Sequence, residues 1–250
     1  MYARGYTASN DGNISVRLGQ DRLLMTPDMM CITDLEGRKL QGDRDPSSEM
    51  LMHLEVYRQR PDVQAVVHAH PPTATGFAVA GIALDRAVLA EVLTTLGSIP
   101  IAEYATPSTK ELPLAVRKYI KAYDGMLLAN HGALTVGGDL YGAYYKMETI
   151  EHFAKISLVA RLLGRENLLS REEVTRLQEL RGSYGIKAPA PICEDAEEDA
   201  TCQVVQAPPG AGARLVPDAV PPKPSARAEE IRLTYRELSA LIEDAIRSLR

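Results

Sequence analysis

His68 and His70 lie two residues apart in the valine-rich run Val66-Val67-His68-Ala69-His70. A short apolar run of this kind predicts a buried strand over Val63–His68. Residues two apart in a strand share one face, so both imidazoles can reach a single ion. His131 stands at the mouth of a second apolar run, Gly125–Asn130. Three neutral imidazoles leave one position of a tetrahedral ion open, the arrangement of a catalytic zinc site rather than a structural one. An isolated His-x-His suits core histidines satisfied by hydrogen bonds equally well. The Pro46-Ser47-Ser48-Glu49 segment and the Asn130-His131-Gly132 turn in the same chain favour the metal reading. His53 and His152 lie at neither a strand end nor a turn and read as structural.

The elements around these residues form one α/β unit over residues 1–185. Asn13–Leu18 and Arg22–Thr26 read as a hairpin with Gly19-Gln20-Asp21 at its tip, and Cys31–Thr33 leads into a turn at Glu36-Gly37-Arg38. Ser48–Arg60 reads as a helix stopped by Pro61. Glu49 stands in its first turn, where the helix dipole favours a carboxylate, and Ser47 and Ser48 suit either N-capping or anion binding at the helix start. Asp139 is a candidate N-cap for a long helix ending near Leu163, with Gly164 as its stop, and Arg171–Arg181 is a last helix.

Composition narrows the possibilities. The 250 residues are 45% apolar and carry a formal charge of −5, which argues against a general nucleic-acid binder. No segment has the length and hydrophobicity of a membrane helix or a signal-peptide core. Cys31, Cys193 and Cys202 form no Cys-x-x-Cys pair, so neither a disulfide framework nor a thiolate zinc site is indicated, and a reducing cytoplasm is expected.

Beyond residue 185 the composition changes. Residues 186–224 hold half of the 16 prolines and the acidic run Glu194–Asp199, and read as a disordered linker. In Ser225–Arg250, Ile231, Tyr235, Leu238, Ile242, Ala245 and Leu249 recur at helical spacing, an amphipathic helix suited to a partner groove. Packing on its own assembly or pairing with its own copies is an equal alternative. Both charge signs on the polar face disfavour a membrane.

Gly12-Asn13-Ile14-Ser15, Pro46-Ser47-Ser48-Glu49, His68-Ala69-His70, Tyr104-Ala105-Thr106 and Leu128-Ala129-Asn130-His131-Gly132 follow the order of the motifs of class II aldolase/adducin proteins. Over residues 2–185 the chain resembles that family, and within it the L-fuculose-phosphate aldolase type. The resemblance implies an α/β fold with a mixed, mainly antiparallel central sheet flanked by helices, in a C4-like homotetramer with sites between subunits. It implies one Zn²⁺ per subunit on His68, His70 and His131. Glu49 is then the carboxylate that sits at the metal and moves protons, work that a raised pKa would suit. Tyr104 is the acid for the aldehyde fragment, supplied across a subunit interface, and Gly12, Asn13, Ser47 and Ser48 form a phosphate cradle. The implied reaction cleaves a phosphorylated ketose to dihydroxyacetone phosphate and an aldehyde. Related epimerases carry aspartate at the position of Glu49, and adducin-type heads lack the histidines. The alternatives are therefore an epimerase or dehydratase of the same superfamily, or a metal-binding assembly component without activity.

Two features depart from the family pattern. The helix expected ahead of Tyr2–Tyr6 is almost wholly missing, as if residues before Met1 had been lost. Met25–Thr33 also replaces two family segments with one, and Asp28 and Met29 stand where a small residue and glycine would help bind phosphate. Glu237–Ile246 is similar to the encapsulation peptides that load enzymes into bacterial microcompartments. A shell protein is thus an expected partner for Ser225–Arg250, and confinement inside a microcompartment an alternative to free cytoplasm.

Overall fold

The computed structural model describes residues 1–9, 11–26, 30–183 and 186. Asp28 and Met29, the expected linker apart from Ile186, and the expected C-terminal helix fall outside the described residues.

The hairpin and turn signals come out as an antiparallel meander of β1 (Asn13–Leu18), β2 (Arg22–Met25), β3 (Cys31–Asp34) and β4 (Lys39–Gln41). The turn after β3 is closed by Asp34, whose Oδ1 accepts the N–H groups of Glu36 (3.0 Å) and Arg38 (2.8 Å). Helix α1 (Met50–Gln59) then leads to β5 (Ala65–Ala69). The strand begins later than Val63 because the Val63 N–H donates to the Arg60 carbonyl at 3.1 Å, in the turn that ends the helix. Next come α2 (Pro72–Ala80), α3 (Ala90–Thr95), β6 (Ile101–Ala102) and α4 (Glu111–Arg117).

β7 (Gly125–Leu128) stops short of Asn130 because the chain turns there. Asn130 adopts φ 55°, a left-handed conformation that asparagine tolerates, and the His131 N–H donates to the Leu128 carbonyl at 3.0 Å. That turn feeds β8 (Gly132–Gly137), a strand bounded by glycines. Helix α5 (Leu140–Leu162) starts as expected from Asp139, whose Oδ1 accepts the Gly142 N–H at 2.8 Å, and α6 (Arg171–Ser183) follows.

The strands make one eight-stranded sheet in the order β4-β3-β2-β1-β5-β8-β7-β6. Every neighbouring pair is antiparallel except β6 with β7. The fold is therefore the expected mixed, mainly antiparallel α/β architecture with helices on both faces.

β5 lies at the centre and is buried throughout, which is why it reads as an unbroken apolar run. Ala65, Val67 and Ala69 pack with Phe77 of α2 and Met147, Ile150 and Phe153 of α5. Val66 faces the other way, into the cluster that holds Met52, Leu54 and Val56 of α1 and Leu112 and Val116 of α4. His68 shares the Val66 face by strand alternation, so it looks toward α1.

The chain leaving His70 is secured from the opposite layer. The backbone N–H groups of Thr73 (3.1 and 3.0 Å) and Ala74 (2.9 Å) at the start of α2 donate to the Glu151 carboxylate of α5. Glu151→Ala should lower the unfolding free energy by about 1.5–3 kcal/mol, the worth of hydrogen bonds to a charged group. Urea titration reads this directly; a loss below about 0.5 kcal/mol would mean that α2 is anchored by other contacts.

Candidate metal centre

Three elements deliver the histidines to one place. His68 is the fourth residue of β5, His70 follows the strand's end, and His131 sits in the β7–β8 turn. Antiparallel pairing of β5 with β8 sets Ala69 opposite Ala133, which draws the turn over the end of β5. The ring centroids are 4.7–5.0 Å apart, and one nitrogen from each ring lies within 4.8 Å of the others. Glu49, at the N-terminal end of α1, completes the group. Its Oε2 is 3.1 Å from His68 Nε2, and its Oε1 is 3.1 Å from His131 Nε2.

The hydrogen bonds decide which ring atoms are free. His68 Nδ1 is 2.9 Å from the Ala133 carbonyl, which only accepts, so Nδ1 carries the hydrogen. In the neutral ring Nε2 is then a lone pair, and it faces Glu49 Oε2 and His70 Nε2, the latter at 3.1 Å. Lone pairs and an anion at such distances repel unless a cation lies between them. A tetrahedral ion about 2.0–2.1 Å from each nitrogen would separate its ligand atoms by roughly 3.3 Å. The donor set therefore fits a divalent metal bound through Nε2 of His68 and one nitrogen each of His70 and His131.

Charge balance agrees with this. Burial, together with the nearby His68 and His131, pushes the His70 pKa well below the ordinary imidazole value, which keeps that ring neutral and available as a ligand. Burial alone would push the Glu49 carboxyl up, but His131, His68 and Asn13 outweigh it and hold the group well below the usual carboxylate range, which for the two imidazoles takes a proton or a cation between ring and carboxylate. The direction is opposite to the raised pKa that would suit proton transfer, because three polar partners surround the carboxyl in this arrangement.

Two glycines let the backbone come this close. A Cβ on Gly132 would lie 2.5 Å from His70 Cδ2 and 2.6 Å from the Ala69 carbonyl oxygen. Gly12 adopts φ +75°, and a Cβ there would meet Thr7 Cγ2 at 2.8 Å and the His68 carbonyl oxygen at 2.9 Å. Any other residue at Gly12 would be strained in both backbone and contacts.

Of the residues expected to cradle phosphate, Asn13 turns inward. It is buried, its Nδ2 donates to Glu49 Oε2 at 2.9 Å, and its Oδ1 lies 2.5 Å from His53 Nε2. Ser47 Oγ accepts the Glu49 N–H at 3.2 Å, and Ser48 is exposed. The Gly12–Asn13 and Ser47–Glu49 segments therefore meet through Glu49.

Tyr104 stands apart, 60% exposed, two residues beyond β6. The parallel pairing of Ala102 with Leu128 brings it out at the same end of the sheet as His131. His152 is exposed on α5, away from the cluster. Two neighbours of the site have no part in it by their sequence: Asp11 is not among the candidates, and His53 reads as structural. Asp11 Oδ2 lies 3.7 Å from His70 Nδ1, and its only signal is an acid beside the Gly12-Asn13 motif. His53 underpins Asn13, and its only signal is a position four residues after Glu49 on the same helix face.

Comparisons with known proteins bear on the family and the fold. Residues 1–158 match the family model described as Class II Aldolase and Adducin N-terminal domain. The 3-oxo-tetronate 4-phosphate decarboxylase of Pectobacterium atrosepticum is 31% identical over 173 residues, covering 64% of this chain and 79% of its own. The 5-deoxy-D-ribulose 1-phosphate aldolase of Bacillus thuringiensis is 30% identical over 197 residues, covering 74% and 92%. A solved L-fuculose 1-phosphate aldolase superposes with a TM-score of 0.66 at 32% identity, covering 70% of this chain and 87% of its own.

Gly132→Ala tests the closeness of the packing. The added methyl must displace either the His70 ring or the Ala69 carbonyl, so bound metal per chain should fall well below that of the unaltered protein. Stability should drop by about 1–3 kcal/mol, as for overpacking. Elemental analysis after dialysis against zinc reads the first effect and thermal unfolding the second; wild-type metal content would show that the turn has room to spare.

Proposed function

Since this chain belongs to the class II aldolase and adducin family, we propose that it is a zinc-dependent lyase cleaving a phosphorylated ketose, such as L-fuculose 1-phosphate, to dihydroxyacetone phosphate and an aldehyde. The observation that carries this reading is the approach of Glu49 to two of three converging histidines, with lone pairs facing one point.

Breaking a carbon–carbon bond beside a carbonyl leaves an enediolate, whose developing negative charge the site must stabilise. A zinc ion on His68, His70 and His131, when bound, supplies that stabilisation as a Lewis acid. The chain's own residues do the rest. His68 is held in one tautomer by the Ala133 carbonyl, so its Nε2 is a fixed ligand. Glu49 loses two of its stabilising neighbours when substrate oxygens take its place beside the imidazoles, which lets its pKa rise and the carboxylate accept and return a proton. Ser47, Ser48 and the Gly12 backbone bind the substrate's phosphate, and Asn13 keeps one amide hydrogen for it beyond the one given to Glu49. Tyr104, exposed on its own subunit, reaches the site of a neighbour in a homotetramer and carries the proton of the hydroxyl that becomes the aldehyde oxygen, which leaves that oxygen in cleavage and returns to it in aldol formation.

A second reading has a specific observation behind it. One relative is a decarboxylase of a 3-oxo acid phosphate. Loss of CO₂ from a 3-oxo acid leaves the same kind of electron-rich intermediate, so the same metal and carboxylate would serve.

A panel of ketose 1-phosphates and 3-oxo acid phosphates, read out as dihydroxyacetone phosphate and CO₂, separates the two reactions. Chelation or His70→Ala should abolish turnover. Glu49→Gln should retain zinc and lose about 10²–10⁴ in rate, the usual span of general acid–base catalysis. Tyr104→Phe should slow cleavage of ketoses without altering metal content. Full activity in chelator, or an unchanged Glu49→Gln rate, would sink the mechanism.

For Ser225–Arg250 we keep the reading of a docking segment for a microcompartment shell protein, on its apolar spacing and its likeness to encapsulation peptides. Fused to a fluorescent protein and co-expressed with shell proteins, the segment should give discrete foci. Diffuse fluorescence indistinguishable from a Leu238→Glu/Ile242→Glu control would rule this out.

A further inference from the structure

Beneath Glu49 a line of buried polar groups runs from the site along the layer between β1 and α1. On β1, Ile14 and Val16 pack toward the α5 side, which by alternation turns Asn13 and Ser15 toward α1. There Asn13 Oδ1 lies 2.5 Å from His53 Nε2, Ser15 Oγ 2.6 Å from His53 Nδ1, and Tyr57 Oη 2.9 Å from Ser15 Oγ. Ser15 and His53 are fully buried and Tyr57 nearly so.

Distances alone leave the direction of these bonds open, but the carboxylate closes the question. Asn13 Nδ2 lies 2.9 Å from Glu49 Oε2, and an amide NH₂ only donates, so this bond runs from Asn13 to the carboxylate. The amide's oxygen then faces His53, and His53 Nε2 must carry the hydrogen. Burial holds the His53 ring neutral, so its Nδ1 is a lone pair and accepts from the Ser15 hydroxyl. The Ser15 oxygen in turn accepts from the Tyr57 O–H, which burial keeps protonated by pushing its pKa up to about 12. Every donor in the line points toward Glu49, and each bond polarises the next.

We infer that His53 is a positioning residue, whose Nε2–H locks the Asn13 amide in the one orientation that presents its NH₂ to Glu49 and so holds the carboxylate against His68 and His131. Without that hydrogen the amide is free to flip, and its oxygen would then face the carboxylate and repel it. The spacing supports the assignment. Glu49 and His53 are four residues apart at the start of α1, so the helix itself sets the distance that one asparagine must bridge. The kinetic consequence rests on the proposed role of Glu49, while the hydrogen-bond direction does not.

The test therefore has two arms. In histidine-selectively ¹⁵N-labelled protein at neutral pH, long-range ¹H–¹⁵N correlation should show His53 with a hydrogen on Nε2 and a bare Nδ1. The opposite tautomer, or a doubly protonated ring, overturns the inference whatever the reaction proves to be. In the second arm, zinc-loaded His53→Leu should lose about 10- to 100-fold in kcat, the usual cost of removing a partner that orients a metal-site ligand. Zinc content and KM should stay within about twofold of wild type. His53→Gln, whose amide can donate to Asn13 and accept from Ser15, should recover most of the rate and guards against simple misfolding of the leucine variant. Wild-type kcat in a folded, zinc-loaded His53→Leu protein overturns the inference. A wild-type protein inactive on every substrate sinks the proposed reaction, and the tautomer still decides the role of His53.

Discussion

Three imidazole nitrogens and a carboxylate brought within contact of one another, with their lone pairs turned inward, are the constraint around which this chain is arranged. Such a group is self-repulsive, and the fold has to hold it against that repulsion. It does so with covalent geometry more than with side-chain contacts. His68 is fixed inside a central strand, His131 in a turn whose preceding residue, Asn130, is left-handed, and Glu49 at a helix end. The Ala133 carbonyl, offered by the strand beside His68, selects the tautomer that turns a lone pair to the centre. Gly12 and Gly132 are needed because the backbones that carry the ligands approach closer than any Cβ would permit.

The same geometry links the site to the core. β5 alternates between two apolar layers, and the step that buries Val67 against α2 and α5 turns His68 toward α1. Moving β5 by one residue would bury a histidine in the wrong layer, so register and metal-site geometry are set together. The polar line from Tyr57 to Glu49 occupies the layer between β1 and α1, where an unmatched polar group would cost stability. Every member of that line has a partner, so burial gives it rigidity.

Within the family the resemblance extends to both an aldolase and a decarboxylase of phosphorylated substrates, which each break a carbon–carbon bond. Tyr104 and Ser48 are exposed and lie outside the buried cluster.

The sequence by itself determined the fold class and singled out the three histidines that converge. Histidines two apart in a valine run, a histidine after a second such run and an acid opening a helix are local patterns, and strand and helix periodicity converts them into faces. Asp139 and Gly164 marked their helix boundaries for the same reason, since capping is a matter of a few adjacent residues. What only the tertiary structure decided are the bonds between residues far apart in sequence: Asn13 with both Glu49 and His53, His68 with Ala133, Glu151 with the start of α2. His53 looks structural from its own neighbourhood, and Asn13 looks ready for phosphate from its motif. The direction of the Glu49 pKa shift likewise comes from three partners on three different elements. No local pattern encodes these, because the direction of a hydrogen bond and the sign of a pKa shift depend on what lies opposite, and strand pairing places that there.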